Sequence, residues 1–218
     1  MTGSVASLLL LADGRFPDGS HAHSYGMEAA VDAGRVHDVA SLQAYIETRL
    51  WTTTRTDAAA AALTTRGEHA PDEVDAALEL RMPGAAARAA SRSLGRSLVR
   101  TAERLWPGHS PTLRDGRSPL QPVALGAVAA LAGCDAHEAA VCTAHSGAAG
   151  LATAALRLLG MDPFSVAAVL AELRDTVTAV ADSVLEVATP DELPSTSTPF
   201  AELDPELQRT IEPRLFGS

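Results

Sequence analysis

His21 and His23, with Asp13, Asp18 and Glu28 close by in the chain, are the first side chains whose types and spacing suit metal chemistry. Imidazole suits nickel, zinc or copper, and carboxylates can complete such a shell. Spacing i, i+2 puts the two rings on different sides of a helix, so both reach one ion only where the turn is irregular. The alternative is a polar first turn whose histidines cap and hydrogen-bond. A second group, Cys134, His137, Cys142 and His145, has the composition of a zinc quartet. On one helix its outer members lie roughly 16 Å apart, too far to share an ion with ligand bonds near ~2 Å. Geometry rejects the quartet, and the two cysteines cannot bridge each other within one helix. Each i, i+3 pair can still join ligands from elsewhere or lie along a polar path; the competing reading is small buried cysteines beside partnered histidines.

A third pattern is a row of arginines, Arg88, Arg92, Arg96, Arg100 and Arg104, every four residues. On a 3.6-residue helix such a row drifts about 40° per step, giving a spiralling basic band suited to carboxylates or to a partner's acidic face. A solvated charged face is the alternative. The serines at 91, 93 and 97 stand in no GxSxG, His or Asp context, and the chain contains no P-loop, GxGxxG or HExxH.

The elements that position these groups read as helices. Leu8 to Ala12 continue a short apolar helix that Asp13-Gly14 breaks, and Pro17-Asp18-Gly19-Ser20 is a Pro-first turn. Ser20 is placed to cap a helix from His21 to Asp32, with Met27, Ala30 and Val31 inward and Gly34 as its stop. Ser41 is the candidate cap of a long helix through Leu42, Tyr45, Ile46 and Leu50 and the alanine block 58–62, ending by Gly67. Pro71 opens the next, ended by Pro83-Gly84. From Ala85 to Trp106, Leu94 and Leu98 lie nearly opposite the arginines. Residues 123–131 and 136–159 are apolar nearly all round and predict the central helices; a last long helix is expected over 163–188. From Thr189, Pro190, Pro194, Ser195-Thr-Ser-Thr and Pro199 predict irregular chain through residue 199. The expected architecture is all-α: a single-domain multi-helix bundle over residues 1–188, with a flexible C-terminal tail, 189–218, ordered on partner binding.

Composition agrees. Only 4% of residues are aromatic, so Ala, Leu and Val must fill the core, which favours closely approaching helices over a sheet. A net charge of −10 argues against a general nucleic-acid binder. That charge is segregated: residues 81–117 hold eight arginines against two acids, and residues 161–218 eleven acids against three arginines. The two can pair within the chain or each meet a partner of opposite sign. With no basic n-region at the start and no uninterrupted membrane-length segment, a cytoplasmic protein with reduced thiols is expected.

The run LADGRFPDGSHAHSYGMEAAVDAGRV resembles the N-terminal signature of the urease accessory protein family UreF, with Pro17, Gly19, Ser24, Gly26, Glu28, Val31 and Gly34 filling its pattern. SRSLGRSLVR, Pro122-Val-Ala-Leu-Gly-Ala, Arg157-Leu158 and the closing Arg214-Leu215-Phe216-Gly217-Ser218 follow in order and spacing. His21 and His23 stand where the family usually has aromatic residues, Gly160 opens a departure from the usual Pro-Leu-Gly-Gln, and Gln208 replaces a common histidine. The resemblance implies a non-enzymatic maturation factor that acts with the UreH/UreD accessory protein and the GTPase UreG to insert nickel into apo-urease and to regulate UreG. It implies a homodimer in the cytoplasm, no tightly bound cofactor, and nickel at most in transit. The carried-over partner-binding residues are Arg214, Leu215 and Phe216 in the tail and Arg88, Arg92 and Arg96 in the middle helix. The alternative from another class is a helical metal-dependent hydrolase using His21 and His23; a helical ligand-binding regulator is a third.

Overall fold

Local signals define most helix ends. In the computed structural model, which describes residues 5–196, 198–208 and 215–216, the chain is all-helical, with no strand among the described residues. The longest helix, α8 (Ala136–Leu159), starts at a reciprocal cap: Asp135 accepts from the Glu138 N–H and the Glu138 carboxylate accepts from the Asp135 N–H, both at 2.9 Å. Gly160, in the left-handed region, closes it. Helix α3 (Val39–Arg49) begins differently from expectation. Asp38 is its cap, at 2.8 Å from the Ser41 N–H, and Ser41 is the third residue, whose hydroxyl returns to the Asp38 N–H. A π-turn over Leu50–Thr54 joins this helix to α4 (Arg55–Arg66) with no intervening loop. Helix α5 (Pro71–Glu79) opens on its proline, and α6 (Ala85–Leu105) carries the arginine row.

The remaining elements are α1 (Val5–Leu11), α2 (Met27–Asp32), α7 (Gln121–Leu131), α9 (Pro163–Glu172), α10 (Arg174–Asp182) and α11 (Pro199–Gln208). Three departures from the sequence reading concern them. The helix expected from His21 is only a 3-10 turn, Ser20–Ala22; His23 is extended, and α2 starts at Met27. The expected single helix 163–188 divides at Leu173 and ends at Asp182; of the apolar residues at helical spacing, Val166, Val169, Leu173, Val177, Val180 and Val184 are buried and Leu170 and Val187 half-buried. Residues 189–194, expected to be irregular, form a capped 3-10 turn over Pro190–Glu192, with Leu193 buried and Arg81 donating to the Leu193 carbonyl at 2.8 Å.

Packing turns on α8, which contributes to all three apolar clusters: with α2, α3, α9 and α10; with α4, α5 and α7; and with α1, α6 and α7. By length and composition α8 could cross a bilayer, contrary to the absence of a membrane-length run read from the sequence. Its apolarity is used in the core, where Cys142, Ala144, Ala148, Leu151 and Ala155 are buried. The alanine block 58–62 is buried throughout and lets α7 approach so closely that a Cβ on Gly126 would stand 2.4 Å from the Ala61 carbonyl oxygen. Gly95 of α6 is tighter still, 1.9 Å between a built Cβ and the Pro119 oxygen. Only glycine fits at either contact.

Candidate interaction site

The motif-bearing loop, residues 17–28, lies across α6 and α8, and the C-terminal segment lies across the loop. Thr101 of α6 donates to the Pro17 carbonyl at 2.8 Å, and Asp18 accepts from the Ser20 N–H at 2.8 Å. Tyr25 holds the left-handed conformation at φ 55, unusual for a side chain of that size, and its ring covers Gly150 of α8. Burial drives the Tyr25 hydroxyl above the ordinary phenol range, with Asp18 and Asp57 adding to the shift and a hydrogen bond from Ser20 opposing it. Gly26, at φ 86, leaves space filled by the tail: a Cβ there would lie 2.8 Å from that of Asp204.

Asp204 on α11 has no exposed surface. It is met by the Arg35 guanidinium and by the Tyr45 hydroxyl, which donates at 3.0 Å. Burial first, and then the Asp204 carboxylate against the opposing charge of Arg49, raises the Tyr45 hydroxyl to about 12. Arg35 also lies 4.9 Å from the Phe200 ring centre, a cation–π contact. The Glu206 carboxylate accepts from the Ala86 N–H at the start of α6, at 2.5 Å, and Glu28 accepts from the Leu215 N–H at 2.8 Å. The inward side of the segment is thus held mainly by polar contacts. The outward side is apolar: Phe200, Leu203 and Leu207 recur at i, i+3, i+7 on α11, each about half exposed, with Leu215 at 71%.

A family model described as UreF matches residues 36–174. The chain is 44% identical over 181 residues to urease accessory protein UreF of Mycobacterium sp. (strain JLS), covering 82% of this chain and 85% of that one. It is 42% identical over 178 residues to the protein of the same name from Mycobacterium marinum, covering 82% and 84%, and 42% identical over 172 residues to that of Mycobacterium tuberculosis (strain H37Rv), covering 79% and 81%. The chain belongs to the UreF family. It is accordingly a urease accessory protein and not an enzyme.

Within this UreF-family fold the residues carried over from the motif separate into three kinds. Gly26 and Glu28 lie against the tail, Ser24 and Glu28 are buried, and Pro17 and Gly19 lie on α6. The arginines part company. Arg88 donates to the Met82 and Pro83 carbonyls, fastening the α5–α6 turn. Arg92 is bound inward: its Nη1 is 2.7 Å from Asp75 and 3.1 Å from the Ser118 carbonyl, and its Nη2 is 3.1 Å from Glu79. Arg96 is exposed. In the tail, Phe216 packs into this chain's own core, 5.9 Å from the Arg157 guanidinium, whereas it was expected against a partner; Leu215 faces outward. Arg214 lies outside the described residues.

The histidines stand apart from any ligand set among the described residues, where no three His, Cys, Asp or Glu side chains converge. His21 is exposed; His23 is half-buried, 6.4 Å from the Tyr25 ring, and burial followed by the charge of His21 lowers its pKa. Asp13 is taken by Arg15 at 2.6 Å. His137 meets Asp182 at 3.0 Å, His145 is exposed, and Cys134 and Cys142 are buried thiols. Burial raises the Cys142 pKa to about 11, so it stays a thiol at neutral pH. The sequence reading missed Arg35, Tyr45 and Asp204.

Proposed function

We propose that this chain is a docking scaffold of urease maturation, which with a UreH/UreD-type protein and the GTPase UreG assists nickel insertion into apo-urease and regulates UreG. The observation that carries the reading is the division of α11 into a polar inner side seated on the motif loop and an exposed apolar outer stripe. An apolar stripe of this kind, desolvated in a partner's groove, supplies the anchors that dominate an interface. On this reading Phe216 and Asp204 fix the tail's position while Phe200, Leu203, Leu207 and Leu215 meet the UreH/UreD-type protein. Arg96, exposed on the basic band, is assigned to the acidic face of UreG; Arg92, already committed to Asp75, is not. The working unit is a cytoplasmic homodimer, and nickel is cargo of the assembly, in transit.

The test is co-purification of the full chain with the UreH/UreD-type protein and nickel-loaded UreG. Leu203→Asp with Leu207→Asp should abolish capture of the UreH/UreD-type protein while leaving the helical circular-dichroism spectrum unchanged. Full capture by that variant counts against the stripe, and a firmly held metal on the chain alone would favour the hydrolase reading.

A further inference from the structure

A cavity of about 350 Å³ lies between the π-turn and α4, α8, the motif loop and the α5–α6 turn, and Thr196 and Pro205 of the C-terminal segment complete its wall. Its two sides differ. The loop, π-turn, α4 and α8 contribute mainly polar groups, among them Asp18, Tyr25, Thr53 and Asp57; the α5–α6 side contributes mainly carbon, including Leu78, Ala90 and Leu94. One of the polar groups lacks what a buried polar group normally has: the Thr53 hydroxyl has no hydrogen-bond partner. Asp57, only partly covered, lines the same wall. Arg81 does not meet the deficit, because its three nitrogens donate to the Ala77, Asp191 and Leu193 carbonyls. Of the arginines only Arg49 acts on Asp57, lowering its pKa less than burial raises it.

A half-apolar chamber of this volume is poorly suited to water alone. Fixed multidentate ligation is also missing, since no three His, Cys, Asp or Glu side chains converge among the described residues. What matches is a ligand with hydrogen-bond donors and positive charge at one end and a short carbon stem at the other. We propose that the cavity binds a small organic cation, an amine or guanidinium on an aliphatic stem, with Asp57 taking the head group and Ala87 and Ala90 the stem. Because the tail completes the wall, ligand binding and any movement of the tail are thermodynamically linked.

The test is calorimetric titration of the full chain with butylguanidinium chloride at about pH 8, where Asp57 is mainly ionised. Saturable one-to-one binding is expected, weakened at least about tenfold in Asp57→Asn. Ala90→Phe, which fills the carbon side and leaves Asp57 in place, should block binding too; circular dichroism and melting curves establish that both variants are folded. Going to about pH 6 should weaken binding, because Asp57, the group raised to about 7, takes up a proton. The other charged or titratable groups on the cavity wall are Asp18, Tyr25, Arg49 and Arg81, from the loop, α3 and the α5–α6 turn. Unchanged affinity in Asp57→Asn, equal binding of neutral butylurea, saturation by nickel chloride alone, or no saturable heat at millimolar ligand would each overturn the proposal.

Discussion

Asp75 and Asp204 are both carboxylates with essentially no exposed surface, yet they do different work. Asp75 sits among groups of the body, accepting from the Leu120 N–H at 2.7 Å and pairing with Arg92, so one side chain ties α5 to α6 and to the start of α7. Its partner Arg92 is itself mostly buried, with 14% of its side chain exposed. Asp204 belongs to the tail and joins it to Arg35, whose side chain keeps 26% exposure, and to Tyr45. Removing Arg92 strands a charge where water cannot reach; removing Asp204 frees a segment and lets Arg35 hydrate. The same chemistry is architecture in one place and a releasable attachment in the other, and the difference lies in where the partner can go when the bond breaks.

The comparison is most severely tested by Arg92→Ala. Leaving Asp75 buried and unpaired should cost about 3 kcal/mol of global stability, read from urea unfolding. A loss as small as that of a surface substitution would mean that the Leu120 amide alone suffices for Asp75.

Asp57 sharpens the contrast as a carboxylate with neither kind of attachment. Burial raises its pKa to about 7, so the folded chain holds a proton that the unfolded chain releases near the ordinary value of 3.8. Stability from this group is therefore fully present below about pH 4 and is lost as pH rises through about 7. Asp57→Asn should raise stability at about pH 8 by something on the order of 2 kcal/mol, and that advantage should shrink as the pH falls to about 5. An advantage that does not change with pH would show that the side chain's charge is not the cause.

For the attachment itself, Asp204→Asn should cost about 1 kcal/mol, felt locally. Amide exchange should quicken over residues 199–208 while α8 keeps its protection; equal loss in both would make the tail an integral part of the core. Smallest of all, Arg96→Ala should leave the unfolding midpoint within about 0.5 kcal/mol of the parent and alter only UreG recruitment.

Much of the fold was legible along the chain because its signals are local. The limits of α8 follow from Asp135 and Gly160, the start of α5 from Pro71, and the inward faces of α6 and α9–α10 from a period of 3.6 residues. The helix forecast from His21 failed for a reason that is not local: Tyr25 is turned into the left-handed region with its ring against Gly150, and that contact requires α8. The motif residues were found by resemblance, but nothing near them in sequence states that Glu28 serves Leu215 or that Gly26 makes room for Asp204.

By itself, then, the sequence determined the helical class, most helix limits, the apolar faces and the UreF family, because capping, periodicity and motif order are properties of neighbouring residues. Tertiary structure decided which of five similar arginines is buried, which face of α11 is left open, and that Asp57 lines a cavity. Arg92 differs from Arg96 only because Asp75 lies opposite it, and Arg35 is separated from Asp204 by 169 positions. A charge's role depends on what packs against it, and that is settled by pairings between distant parts of the chain.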